Sequence, residues 1–137
     1  MRVRHVIRYY CDFCPRGYFK KPSMERHEKG CTANPNRVCG LCEYAVPKLE
    51  QKPIADLIAC FGPKEVWDYT STDEAMKKLR ELAQGCPGCI LAGIRQSGIL
   101  VALNDHDYGP PDLHFNFKQE LEAWWVMANE SKNDIAF

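Results

Sequence analysis

The sequence predicts a small α+β protein in which a short unit of two strands and one helix precedes a mainly helical body. Six of the eight cysteines in this 137-residue chain fall in C-x-x-C pairs, a spacing typical of metal-ligand knuckles. Apolar residues recur at helical spacing in three later segments, and one short run is rich in β-branched residues. Hydrophobic residues make up 45% and charged residues 26% of the chain, so we expect an ordered globular protein rather than a disordered one.

The sequence contains no stretch of 18 apolar residues and no signal-peptide pattern. We therefore expect no membrane partner and a cytoplasmic location. In a reducing compartment, paired cysteines favour metal ligation over disulfides.

Charge is divided unevenly along the chain, although the net charge is zero. Residues 1–31 hold eight Lys/Arg against three Asp/Glu, a net +5, and the remainder holds ten against fifteen, a net −5. A basic head on an acidic body predicts that the N-terminal end binds a polyanion such as DNA or RNA.

The first candidate metal site lies in this basic head. Its predicted ligands are Cys11, Cys14, His27 and Cys31. A C-x-x-C turn presents two sulfurs on one side, and residues four apart on a helix lie one turn above each other, so the four groups can converge on a tetrahedral zinc. Tyr9, Tyr18 and Met24 are the apolar residues expected to form a small core beside it.

Residues 9–31, YYCDFCPRGYFKKPSMERHEKGC, resemble the two-cysteine, two-histidine zinc fingers in the variant with a final cysteine. The resemblance implies a ββα finger over residues 1–33, with base contacts from Lys20, Ser23 and Arg26 at the start of its helix. Pro22 departs from the family pattern, and no second finger follows. A finger that only folds the N-terminus or binds a protein is therefore an equal alternative.

The second candidate site consists of two further pairs, Cys39 with Cys42 and Cys86 with Cys89. Their arrangement resembles a treble-clef or zinc-ribbon site and would organise residues 34–137 as a second domain, giving two zinc ions per chain. Two alternatives stay open: the pairs of the two sites could interleave, or Cys86-Pro-Gly-Cys89 could be a redox pair or a turn.

The junction between the sites carries the pattern H-E-x-x-C-x-x-N-P-x-R-x-C-x-x-C over residues 27–42. This pattern resembles small zinc-finger proteins encoded by bacteriophages and prophages. The resemblance implies a location in the host cytoplasm if the chain is phage-encoded.

The body is expected to contain three longer helices. We predict one over residues 47–61, strongest after Pro53, a second that begins at a capping box over residues 71–74, and a last one capped by Asn116. Gly85 is expected to end the second helix. Cys60 is left over as a buried, inert thiol.

Shorter elements connect these helices. Residues 32–37 form a turn-rich joint, residues 90–98 a short helix or turn, and residues 99–103 a buried strand. Trp124 and Trp125 on the last helix are expected to close the core.

One segment suggests catalysis. Asn104-Asp105-His106-Asp107, followed by His114 and Asn116, resembles the ββα-metal (HNH-like) nucleases, which implies that His106 would polarise water at a scissile phosphate. In this chain the segment follows both cysteine pairs of the second candidate site instead of lying between them. A polar surface loop is therefore the alternative. No phosphate-binding loop or hydrolase motif accompanies it.

These observations together predict a zinc-binding, non-catalytic regulatory or adaptor protein. Its partner would be either DNA or RNA, bound by the basic N-terminus, or a protein, bound by the acidic body. The alternatives are an HNH-like nuclease that uses His106 and a purely structural protein-interaction module.

Overall fold

The computed structural model describes residues 1–45, 48–62, 69–99 and 113–135. The elements are, in chain order, β1 (Tyr9–Tyr10), β2 (Gly17–Tyr18), α1 (Lys21–Gly30), α2 (Gly40–Tyr44), α3 (Ile54–Ala59), α4 (Tyr69–Leu82), α5 (Pro87–Ser97) and α6 (Phe117–Ile135). This mostly helical arrangement with one two-stranded sheet agrees with the predicted mixed class. Of the predicted strand over residues 99–103, all but Ile99 lies outside the described residues, as do residues 104–112.

The N-terminal unit is an antiparallel hairpin packed against α1. Tyr9 pairs with Tyr18, and Tyr10 pairs with Gly17. Met24 of α1 is buried beneath the hairpin, where Tyr9 and Tyr18 pack beside it. The small core predicted for this unit is therefore confirmed.

The joint after α1 is fixed to the body by hydrogen bonds. Gln96 of α5 donates from Nε2 to the carbonyl oxygens of Thr32 (2.8 Å) and Asn34 (3.0 Å). The Asn34 side chain donates to the carbonyl of Glu28 at 2.8 Å. The turn-rich joint thus lies against α5.

Helix α5 lies at the centre of the body and contacts α3, α4 and α6. The fully buried side chains of the body include Leu57 of α3, Leu79 of α4 and Ile90 of α5. Gly93 lets α5 approach its neighbours closely, because a Cβ there would lie 3.0 Å from a methyl carbon of Leu79.

Two helix boundaries differ from the prediction. Helix α3 spans only Ile54–Ala59, and Pro53 (φ −56°, ψ 141°) is its extended N-cap, so residues 48–53 precede the helix. Helix α4 begins at Tyr69, which places residues 71–74 inside the helix and makes the predicted capping box wrong. Its predicted end is confirmed by the positive φ of Gln84 (54°) and Gly85 (76°).

The start of α6 matches the prediction, because Asn116 Oδ1 accepts a hydrogen bond from the backbone N–H of Gln119 at 3.1 Å. The two tryptophans do not close the core. Trp124 and Trp125 are half-buried and pack against Tyr44 in tilted and edge-to-face arrangements, with ring centroids 6.0 and 4.6 Å from it. They contact the end of α2 instead of the fully buried cluster around α5.

Ile99 is buried in a helical conformation instead of starting the predicted strand. None of the described helices has both the length and the apolar character needed to cross a membrane.

Candidate metal centres

The structure brings the eight predicted ligands together in two groups of four. One group is Cys11, Cys14, His27 and Cys31, and the other is Cys39, Cys42, Cys86 and Cys89. Within each group the ligand atoms lie within 4.8 Å of one another, so each group could hold one metal ion. The pairs combine in sequence order, which decides against the interleaved alternative. All eight cysteines are free of disulfide bonds.

The first centre lies between the hairpin turn and α1. The N–H of Phe13 donates to Cys11 Sγ at 3.4 Å, which turns the knuckle around that sulfur. His27 points from α1 toward the knuckle, with Nε2 3.2 Å from Cys14 Sγ. Cys31 follows the last residue of α1, so all four groups surround one point.

The second centre lies inside the body, where each cysteine pair opens a helix. Cys39 and Cys86 are the N-cap residues of α2 and α5, and Cys42 and Cys89 lie in the first turns that follow. The Sγ atoms of Cys39 and Cys86 are 3.5 Å apart, as are those of Cys42 and Cys89. The four thiols are at most 2% exposed and belong to the main buried cluster.

Both donor sets fit zinc. Four thiolates, or three thiolates with one imidazole, are the ligands of tetrahedral structural zinc sites. Zn–S bonds of about 2.3 Å place two sulfurs about 3.8 Å apart on a tetrahedron, close to the separations found here. Each centre has four protein ligands, which is the arrangement of a structural ion rather than of a catalytic ion with an open position.

The protein around the second centre stabilises negative charge. The N–H of Cys42 donates to Cys39 Sγ at 3.4 Å, and the N-terminal end of α5 faces the cluster with its partial positive charge. Hydrogen bonds from Cys42 and Cys86 lower the pKa of Cys39 well below its ordinary value. Cys39 is thereby favoured as a thiolate, whereas hydrogen bonds to Cys39 raise the pKa of Cys42 and of Cys86. A bound metal ion would keep all four sulfurs deprotonated.

Arg37 is a buried cation in contact with the second centre. It is only 7% exposed, and its Nη1 lies 3.6 Å from Cys89 Sγ. Burial alone would lower the pKa of the Arg37 guanidinium, but hydrogen bonds and charge from Cys89 and Cys39 raise it. Four thiolates around Zn²⁺ carry a net −2, so this buried cation offsets part of the charge.

Gln51 holds the backbone that carries Arg37. Its Nε2 donates to the carbonyl of Arg37 at 2.8 Å, and its Oε1 accepts from the N–H of Cys39. Neither role could be assigned from the sequence, because Arg37 lies 52 residues from Cys89. The only signal was the position of Arg37, two residues before a knuckle cysteine.

Replacing Arg37 with methionine is expected to weaken metal binding at the second centre. Outer-shell partners typically contribute about 10–100-fold to metal affinity, so we expect a loss in that range for the second ion only. Native mass spectrometry of zinc-loaded protein during titration with a chelator measures it. Arg37→Lys, which keeps the charge, should lie between the variant and the wild type. Equal retention of both ions in Arg37→Met would contradict the role of this cation.

None of the three residues predicted to contact bases belongs to either group of metal ligands. Lys20 precedes α1 in an extended conformation (φ −110°, ψ 129°) and is exposed, as is Arg26. Ser23 is half-buried.

The segment that suggests a nuclease is described only in part. His106 and its neighbours lie outside the described residues. Asn116, which belongs to the nuclease-like pattern, caps α6 with its side-chain oxygen. His114 is exposed with a positive φ of 51°, and its carbonyl accepts from Arg80 at 2.8 Å.

An apolar cavity of about 390 Å³ lies beside the second centre. Leu41, Tyr44, Leu121 and Trp125 supply much of its wall. Arg37 and Cys39 also line it, so the cavity adjoins the charged cluster.

No family model, no curated protein and no solved structure matches this chain. The function is therefore inferred from the two metal centres and from the surfaces that they hold in place.

Proposed function

We propose that this protein binds two structural zinc ions and uses its basic N-terminal unit, residues 1–31, to bind nucleic acid without catalysing a reaction. The observation that carries the proposal is the exposure of every basic side chain in that unit. These side chains are Arg2, Arg4, Arg8, Arg16, Lys20, Lys21, Arg26 and Lys29. A concentrated positive surface of this kind attracts the phosphate backbone and releases its counterions.

The basic side chains have no competing acidic partners in the described part of the chain. The one ion pair found there joins Arg80 to Glu120, in the body. Glu28, one of three acidic residues in the unit, accepts a hydrogen bond from the backbone N–H of Asp12. The positive charge is therefore available to an external anion.

We also propose a division of the chain into a ββα finger over residues 1–33 and a helical domain over residues 34–137. Two separate apolar clusters support it, one beneath the hairpin and one around α5. The opening of α2 and α5 by cysteine pairs supports a treble-clef-like second site. A phage-encoded setting rests on the sequence pattern alone.

Zinc is the proposed ion at both centres because of the donor sets. Full coordination by protein groups leaves no position for a substrate or for an activated water. The role proposed for the two ions is to hold the basic unit and the body in their folded forms.

Charge reversal in the basic unit tests this function. Lys20→Glu combined with Arg26→Glu is expected to weaken binding of a labelled oligonucleotide by about tenfold or more at low salt, because two exposed cations become anions that repel the nucleic acid. Fluorescence anisotropy over a range of salt concentrations should show the wild-type affinity falling steeply with salt. Lys77→Glu with Lys78→Glu on exposed positions of α4 is the matched control and should change little.

Absent or salt-insensitive binding by the wild type would contradict nucleic-acid binding. The acidic body would then become the better candidate for a binding surface. The apolar cavity beside the second centre is where a protein partner could bind it.

A further inference from the structure

We propose that the outer face of the hairpin binds an unpaired nucleic-acid strand by stacking bases on two exposed aromatic rings. The outer hairpin face is defined here by Arg8, Tyr10, Gly17 and Phe19. The proposal rests on the proposed function and adds the class of nucleic acid and the surface that binds it. It differs from the base contacts expected from Lys20, Ser23 and Arg26 at the start of α1.

The register of the hairpin separates its two faces. Tyr9 and Tyr18 are directly opposite each other and pack into the apolar cluster beneath α1. Because side chains alternate along a strand, Tyr10 faces away from α1. Phe19, the residue that follows β2, lies on the same side, because Arg8 contacts both rings. Tyr10 is 62% exposed and Phe19 63% exposed, so most of each side chain is open to solvent.

A single guanidinium holds the two rings on this face. Arg8 Cζ lies 5.7 Å from the ring centroid of Tyr10 and 5.1 Å from that of Phe19. Both distances are within the range of cation–π contacts. The aromatic rings and the positive charge therefore form one continuous surface.

Gly17 makes this arrangement possible. It is paired with Tyr10 across the hairpin, and a Cβ at position 17 would lie 2.6 Å from Arg8 Nε and 3.0 Å from the Tyr10 ring. Arg8 also donates from Nη2 to the Gly17 carbonyl at 3.4 Å. Any larger residue would displace the ring or the guanidinium, so the absence of a side chain shapes the outer hairpin face.

The chemistry of this face matches a single strand better than a duplex. Bases stack on exposed aromatic rings only when their own faces are accessible, and pairing hides those faces inside the double helix. The surrounding charge matches a phosphate backbone, because residues 1–20 hold five basic side chains and one acidic residue, Asp12. Alternation of aromatic and basic groups is how sequence-tolerant single-strand binding surfaces are built.

The test compares three labelled probes with the zinc-loaded full chain: a 12-nucleotide oligothymidine, its oligouridine counterpart and a 12-base-pair duplex. We expect both single strands to bind about tenfold or more tightly than the duplex. The two single strands should agree within about threefold, because stacking and phosphate contacts do not involve the 2′-hydroxyl. Fluorescence anisotropy gives the three dissociation constants.

Substitutions locate the binding surface. Tyr10→Ala and Phe19→Ala should each weaken single-strand binding about fivefold or more, and Phe19→Trp should retain it. Met127→Ala on α6 is the matched control, because Met127 is 68% exposed but lies in the acidic body. Zinc content should stay at the wild-type value in every variant, which shows that the fold is intact.

The outcomes separate this inference from the proposed function. Equal affinity for duplex and single strand would overturn the inference. Unchanged binding by Tyr10→Ala and Phe19→Ala would also overturn it, if Lys20→Glu with Arg26→Glu still loses affinity. Both of these results would leave the proposed nucleic-acid binding intact. Failure of all three probes to bind would remove the proposed function and the inference together.

Discussion

Replacing Cys86 and Cys89 with serine is expected to remove one zinc ion per chain and to unfold the helical body. Both cysteines are at most 1% exposed and belong to the same buried cluster as Leu57, Leu79 and Ile90. The second centre is therefore part of the core itself. Circular dichroism should show the loss of most helical signal from this double variant at 25 °C.

The magnitude of the metal contribution decides this outcome. Binding of structural zinc supplies about 10–16 kcal/mol in small zinc-dependent units, whereas a whole domain is stable by only about 5–15 kcal/mol. Loss of the ion would also leave Cys39 and Cys42 as buried thiols without their partners. The remaining apolar contacts of the body do not offset a loss of that size.

Cys60→Ser is the matched control for this experiment. Cys60 belongs to neither centre, and its Sγ donates to the carbonyl of Asp56 at 3.6 Å in the last turn of α3. The control should keep two zinc ions and a wild-type helical signal. A Cys86→Ser, Cys89→Ser protein that remained folded with two zinc ions would refute the second centre.

Replacing His27 with alanine is expected to release the other ion and to unfold residues 9–31 while the body stays folded. The apolar cluster of this unit has only three buried members, Cys11, Met24 and Cys31. Helix α1 has ten residues, fewer than the about 12–15 that an isolated helix needs in water. Hydrogen exchange should show loss of protection over residues 9–31 and unchanged protection over α5.

The choice of alanine isolates the effect of the metal, because alanine is the best helix former and does not itself weaken α1. His27→Cys supplies a fourth thiolate and should restore both the ion and the protection. If residues 9–31 of His27→Ala kept wild-type protection without a bound ion, the first centre would not be what folds this unit.

Local spacing made the metal ligands predictable. A C-x-x-C turn fixes the distance between its two sulfurs, and Cys31 follows His27 by four positions, which is about one helical turn. The same local logic predicted the Asn116 cap of α6 and the end of α4 at Gly85. Such features depend on a few neighbouring residues, so the sequence alone is enough to predict them.

Features that depend on distant contacts were not predictable in the same way. Arg37 meets Cys89 only because the joint and α5 come together, and helical spacing in residues 47–61 could not show that Gln51 would bind the backbone beside Cys39. Trp124 and Trp125 have the spacing of core residues, yet both are only half-buried and pack against Tyr44.

The outer hairpin face illustrates the same limit. Resemblance to zinc fingers directs attention to the start of α1, where Lys20 and Arg26 are exposed. The shared exposed face of Tyr10 and Phe19 is known only from the folded hairpin. The need for glycine at position 17 is likewise known only from the contact of Arg8 with that position. A nucleic-acid surface on this face would extend the role of the hairpin beyond metal binding.

Metal stoichiometry tests the central claim most directly. Native mass spectrometry of the reduced full chain, supported by elemental analysis, should find two zinc ions per chain and eight cysteines without disulfides. Cys86→Ser with Cys89→Ser should retain one ion, and His27→Ala should retain the other. A reduced, folded wild-type chain that carries one ion or none would contradict the two-centre account.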